Sequence, residues 1–310
     1  MTSLPAPSAL LAKAREYLRQ AKSPHTRRAY RADWAHFASW CDREDREPLP
    51  AAPDTLVLYL TALAATHTAA SLARRLSAVS QAHQAAGCVS PTHQPAVRAV
   101  MAGIRRAKGT AAQAKKPVLV ADLARMLATL PDSLLGVRNR ALLLVGFAGA
   151  FRRSELVALD WEDVAWSSEG LTIRLRRSKT DPEGAGRKIG IPYGRVHCPV
   201  RALAAWRDET DGSHGPVFRR LGRHGNLFPS RLSDKAVARL VKSAIAAAGL
   251  DPAGYSGHSL RAGLATAAAM AGASERAIMN QTGHRSLATV RRYIRDGSLF
   301  RDNAAAASGL

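Results

Sequence analysis

The chain has 310 residues, 46% of them apolar and 22% charged, which is enough for two domains that each bury a core and too apolar for a disordered chain. It has no apolar run near the roughly 20 residues that span a bilayer, and no signal-peptide pattern at its start. Its three scattered cysteines, Cys41, Cys88 and Cys198, speak against a disulfide framework and for a reducing cytosol. The formal net charge of +21 calls for a polyanionic partner, and both halves share it: residues 1–116 carry 17 Lys/Arg against 7 Asp/Glu, the remainder 28 against 17.

The first hundred residues predict a set of helices. Ser23 before Pro24 has the form of an N-cap followed by proline at the first helical position. Beyond it Tyr30, Trp34, Phe37 and Cys41 recur at spacings of three or four and mark one apolar face. Arg27, Arg28 and Arg31 cluster on the first turns of the same helix, where they can meet phosphates. Residues 54–65, 70–86 and 94–107 are rich in Ala and Leu at helical spacing, punctuated by Gly87 and Pro91. Residues 108–117, KGTAAQAKKP, are polar and basic and predict an interdomain linker, whose Lys115 and Lys116 can themselves lie against a polyanion.

From residue 118 the pattern is mixed. Helices are predicted at 123–130, 138–147 and 154–159, and an alternating strand at 171–176 returns through a turn at 181–186 to a second strand at 188–191. Helices resume at 200–206, 235–248, 259–270, 275–281 and 286–295. The expected fold is mainly α with a small antiparallel β-sheet: a helical first domain over 1–107, the linker at 108–117, and an α+β second domain with a C-terminal tail over 118–310.

Four stretches carry chemistry. In GAFRRSEL, residues 149–156, Arg152 precedes Glu155 by three, which on a helical turn puts both on one face. In RRSKTD, residues 176–181, Lys179 sits where a strand runs into a turn. In GHSLRAG, residues 257–263, His258 and Arg261 share a face at a helix start. In TGHRSLATVRRY, residues 282–293, the loop residue His284 precedes a helix that presents Tyr293. A lone HxxR is usually surface ion-pair chemistry, and a lone tyrosine on a basic helix is usually an amphipathic surface residue. The four together, in this order, are not so easily dismissed.

As a set these stretches resemble the tyrosine recombinase (phage integrase) family, in Cre-like and Xer-like form, over roughly residues 118–305, with a looser helical match before them. The resemblance implies a core-type DNA-binding domain followed by a catalytic domain. It also implies an active site of Arg152, Lys179, His258, Arg261, His284 and the nucleophile Tyr293, with Glu155 in support. Arg152 is chosen over Arg153 because it lies two before Ser154. The partners implied are double-stranded DNA and three further copies of the chain in a tetramer on two sites, from a monomer or dimer when free. Neither membrane nor cofactor is implied, and the location is the bacterial cytoplasm with the nucleoid. With the first domain starting near residue 1, no arm-site domain is expected before it. The tail at 297–310 is expected to dock on a neighbouring protomer.

The chemistry stands beside the family. Two arginines offer planar paired donors to the nonbridging oxygens of a phosphodiester, which lysine does not reproduce, and a histidine adds a further donor to the developing charge. A phenol with a free pKa near 10 must lose its proton on attack, for which His258 is the acceptor, while Lys179 suits protonation of the departing 5′ oxygen. No phosphate-binding GxxxxGK[ST] loop is present, and the glycines at 184, 186 and 190 miss the dinucleotide spacing. His197 and Cys198 suit loop packing better than metal ligation. The rival readings are a type IB topoisomerase, which relaxes supercoils without exchanging sequences, and a family member that only binds DNA.

Overall fold

A computed structural model of the chain describes residues 7–109, 115–176, 178, 181, 184–298 and 308. The chain divides into two compact units, residues 1–113 and 114–310. The centre of the expected linker, residues 110–114, and the tail beyond Ser298 except Ser308 lie outside the described residues.

The first unit is all helical: α1 Pro7–Gln20, α2 Pro24–Arg43, α3 Pro53–Ala64, α4 Ala69–Ala85 and α5 Pro95–Lys108. Ser23 caps α2 as its sequence predicts, its Oγ accepting the Thr26 N–H at 3.1 Å, and Thr68 caps α4 in the same way. Phe37, Trp40, Cys41, Leu56, Tyr59, Leu60, Leu72, Val79, Val97 and Met101 form the core. Among the polar residues buried with it is Asp33 on α2, held bidentately by Arg74 of α4 at 2.7 and 3.0 Å. The first helix escapes sequence reading because its large apolar residues Leu10, Leu11, Tyr17 and Leu18 stay exposed.

The second unit is built round α7 Leu134–Ala148, whose residues from Ala141 to Phe147 are all buried. A helix apolar on every side belongs at the centre of a fold. Around it lie α6 Val120–Ala128, α8 Arg153–Ala158, α9 Pro199–Asp208, α10 Asp234–Ala247, α11 Ser259–Met270, α12 Glu275–Thr282 and α13 Leu287–Ser298. The expected hairpin is present as β2 Gly170–Leu175 against β3 Arg187–Pro192, with Leu171 opposite Ile191 and Ile173 opposite Ile189 on the buried face. A strand not foreseen, β1 Val164–Ser167, pairs with the other edge of β2, and a second antiparallel pair, β4 Arg219–Leu221 and β5 Leu227–Arg231, forms a separate sheet. The latter segment shows no period-two apolar pattern because most of its side chains are solvent-facing. Cys198 is buried, and its Sγ accepts the N–H groups of Gly194 and Arg201 at the start of α9.

Candidate active site

The site begins where α7 stops. Gly149 ends the helix with the Phe151 ring so close that a methyl group at its α-carbon would lie 2.1 Å from a ring carbon, so only glycine fits. Ala150 then takes the left-handed conformation at φ 48°, unusual for a residue with a side chain and held here by its surroundings. Its carbonyl accepts Nη1 of Arg261 at 2.7 Å. This corner delivers Arg152 as the N-cap of α8, outside the helix rather than on it. Its partnership with Glu155 is therefore a capping contact: the buried Glu155 carboxylate accepts the Arg152 backbone N–H at 2.9 Å and pairs with its guanidinium through Nη1.

Arg261, on the first turn of α11, is fully buried. Among the described residues only Nη1 finds a partner; Nε and Nη2 are buried with no hydrogen-bond partner among them. Burial first, then the positive charge of Arg152, lowers its pKa to about 10. A guanidinium with two open donors, whose charge the nearby Glu155 carboxylate offsets only in part, is an expensive arrangement in a free protein and a ready one for an anion.

His258 is the N-cap residue of the same helix. It keeps an exposed surface, yet burial among neighbouring atoms and then the charges of Arg261, Arg152 and Arg153 lower its pKa. His284 follows α12 and its left-handed cap Gly283. Thr282 Oγ1 spends its hydrogen on the Ile278 carbonyl at 2.7 Å, so it accepts from His284 Nδ1, also at 2.7 Å. That assigns the proton of the neutral ring to Nδ1 and leaves a lone pair on Nε2. Burial, then Arg261, Arg152, His258 and Arg187, push its pKa down to about 3. Tyr293, half-buried on α13, packs against the small cluster of Ala265, Ala269, Ile278 and Val290. Its ring centroid lies 5.8 Å from that of His284, and its charge would act directly on Arg261.

Of the residues singled out in the sequence, Arg152, Glu155, His258, Arg261, His284 and Tyr293 thus act on one another within the second unit. Arg152 rather than Arg153 holds Glu155 and is felt at Arg261 and His284. Lys179 lies outside the described residues. Lys115 donates through Nζ to the Ala253 carbonyl at 2.7 Å, and the Lys116 backbone N–H to Gly254 at 2.8 Å, so this basic pair is fastened to the turn before α11. In the first unit Arg27, Arg28 and Arg31 are exposed along α2. Two contributors were missed, Arg187 and Gln281. An arginine opening a strand and a glutamine ending a helix carry no sequence signal, because their partners are backbone carbonyls far along the chain.

Both histidines are depressed in the folded state, so the unfolded chain takes up protons first as the pH falls. Stability contributed by His284 is therefore present above its unfolded value of 6.5 and lost on acidification towards about 3. Lowering the pH from ~7 to ~5 should cost on the order of 1 kcal/mol from this residue after allowance for solvent, or roughly 2–4 °C in thermal midpoint. In His284→Asn the drop should shrink by that amount; an unchanged pH slope would contradict the depressed ring.

Residues 118–298 match the phage integrase family, and residues 15–87 the SAM-like N-terminal domain of phage integrases. The chain belongs to the phage integrase family. It is 44% identical over 300 residues to an integrase/recombinase of Selenomonas ruminantium described as a XerD homologue, covering 94% of this chain and 87% of that one. It is 28% identical over 295 residues to the Cre recombinase of an Escherichia phage, covering 90% and 86% of the two chains. Among solved structures, the XerH site-specific recombinase bound to its palindromic difH substrate after cleavage superposes with a TM-score of 0.62 over 83% of this chain and 71% of that one. At 18% identity that last likeness bears on the fold alone. The tyrosine recombinase resemblance and the fold class expected from sequence both stand on these matches. No helix among the described residues is long and apolar enough to cross a membrane.

Proposed function

We propose that the chain cuts and rejoins double-stranded DNA at specific sites, through a 3′-phosphotyrosyl link to Tyr293. The observation that carries this is the buried, unpartnered Nε and Nη2 edge of Arg261, with Arg152, two histidines and the phenol of Tyr293 acting on the same space. A scissile phosphate fills that edge with a bidentate pair of charge-assisted hydrogen bonds. Arg152, oriented by Glu155, takes a second nonbridging oxygen. His284, neutral in the empty site, regains a proton on Nε2 when the phosphate charge enters, and donates it as a hydrogen bond.

The Tyr293 oxygen bonds to phosphorus as its proton passes to His258, whose depressed pKa keeps the ring neutral and able to accept. The bond from phosphorus to the 5′ oxygen breaks, and Lys179 supplies the proton to that leaving group. Attack by a 5′ hydroxyl of another strand reverses every step, so one phosphodiester is restored for each one broken. Two basic units suit a duplex partner, with Arg27, Arg28, Arg31, Lys115 and Lys116 on phosphates. Exchange between two sites calls for four protomers.

The deciding experiment selects bound duplexes from a random pool and then supplies paired copies of the selected site. Recombinant product between the copies is the expected result. Relaxation of supercoils without exchange would favour a topoisomerase, and binding with no covalent adduct would reduce the chain to a DNA-binding protein.

A further inference from the structure

We propose that Arg187 is a positioning residue of this reaction: it fastens the end of α12 so that the loop carrying His284 is held beside Tyr293. The inference rests on the reading of the site given above.

Arg187 opens β3 and crosses to the C-terminal end of α12. Its Nη1 donates to the carbonyls of Asn280 and Gln281, both at 3.1 Å, and Nη2 to that of Thr282 at 3.4 Å. These are last-turn carbonyls left without helical partners, and a cation there also meets the negative end of the helix dipole. The next residue, Gly283, turns left-handed at φ 65° with the guanidinium against it; a methyl group on its α-carbon would lie 2.7 Å from the Arg187 guanidinium carbon. His284 comes immediately after.

A second strap runs alongside. Gln281 Nε2 donates to the Ala148 carbonyl at 2.8 Å and to Gly190 of β3 at 3.0 Å, tying the same helix end to the corner that delivers Arg152. Thr282 then fixes the ring of His284 itself. Arg187 is partly buried, and its charge is felt at His284 and Arg261. Its hydrogen bonds nevertheless go to backbone, so it acts through His284 rather than on phosphate. A lysine has no planar fork to span three carbonyls.

The test is a double-mutant cycle in the full chain, read as single-turnover cleavage of a nicked duplex carrying the selected site at saturating protein. Arg187→Gln should slow cleavage about 10- to 100-fold, as loss of an orienting partner does, with duplex affinity changed less than about threefold. In a His284→Ala background the same substitution should cost less than about twofold, since the residue it positions is gone. Arg187→Lys should restore part of the rate, and it carries the same cycle if Arg187→Gln shows no cooperative thermal transition. Equal losses in both backgrounds would overturn the positioning role while leaving the site reading intact. If His284→Ala alone left cleavage unchanged, that reading would fall and this inference with it.

Discussion

Replacing Arg261 with methionine is expected to cut strand cleavage about a thousandfold while the thermal midpoint of the free protein falls by no more than about 4 °C. The two effects have one cause. The guanidinium is fully buried, two of its three nitrogens have no partner among the described residues, and burial with the nearby charge of Arg152 already drives its pKa down to about 10. In the free protein that is a buried cation only partly offset by the Glu155 carboxylate, and an apolar side chain of similar length relieves it. Against this stands the lost bond to the Ala150 carbonyl, about 1–3 kcal/mol if that acceptor stays unsatisfied. The two roughly offset, so the midpoint should move by no more than about 4 °C downward, the equivalent of ~1 kcal/mol. With DNA bound the balance should reverse, because in the proposed reaction the open donors meet the charge of the transition state; removal of one such preorganised donor commonly costs about 100- to 1,000-fold. Paired measurement of midpoint and single-turnover cleavage checks it. A variant that unfolds many degrees lower, or cleaves within tenfold of the parent, would show that Arg261 is structural.

The second large effect belongs to Tyr293. Tyr293→Phe keeps the ring that packs near Ala265, Ile278 and Val290, so the fold and duplex binding should be unaffected. It removes the only atom proposed to bond to phosphorus, and the covalent adduct seen on a denaturing gel should vanish, a loss of about 10⁴-fold or more. The geometry adds a sharper expectation. Tyr293 sits beside His284 and Arg261 of its own chain, so each protomer should cut with its own nucleophile. A mixture of Tyr293→Phe and Arg261→Met protomers should then form no more adduct than either alone. Restoration of cleavage in the mixture would mean that the tyrosine is delivered to a neighbour.

Helices and caps were legible because their signals are local. Ser23 with Pro24 marks the start of α2, and the HxxR spacing puts His258 at the cap of α11 and Arg261 on its first turn. The relation of Arg152 to Glu155 was legible as a contact but not in kind: spacing suggested a shared helix face, whereas the left-handed Ala150 makes Arg152 the cap. The solvent-facing strands β4 and β5 were illegible because exposed strands need no apolar alternation.

The sequence alone determined which groups are available and in what local setting: two arginines, two histidines and a lysine at expected turns or helix starts, and a tyrosine within a helix, each written in its nearest neighbours. Backbone periods reach only about four residues, so they are silent on whether groups separated by about 140 residues meet. Tertiary structure decided the rest. Long-range packing buries Arg261 with its donors open, surrounds His284 with burial and distant arginines that lower its pKa, and brings Arg187 from a strand to the end of a distant helix. Burial and proximity shift charge, and both are properties of the folded chain alone.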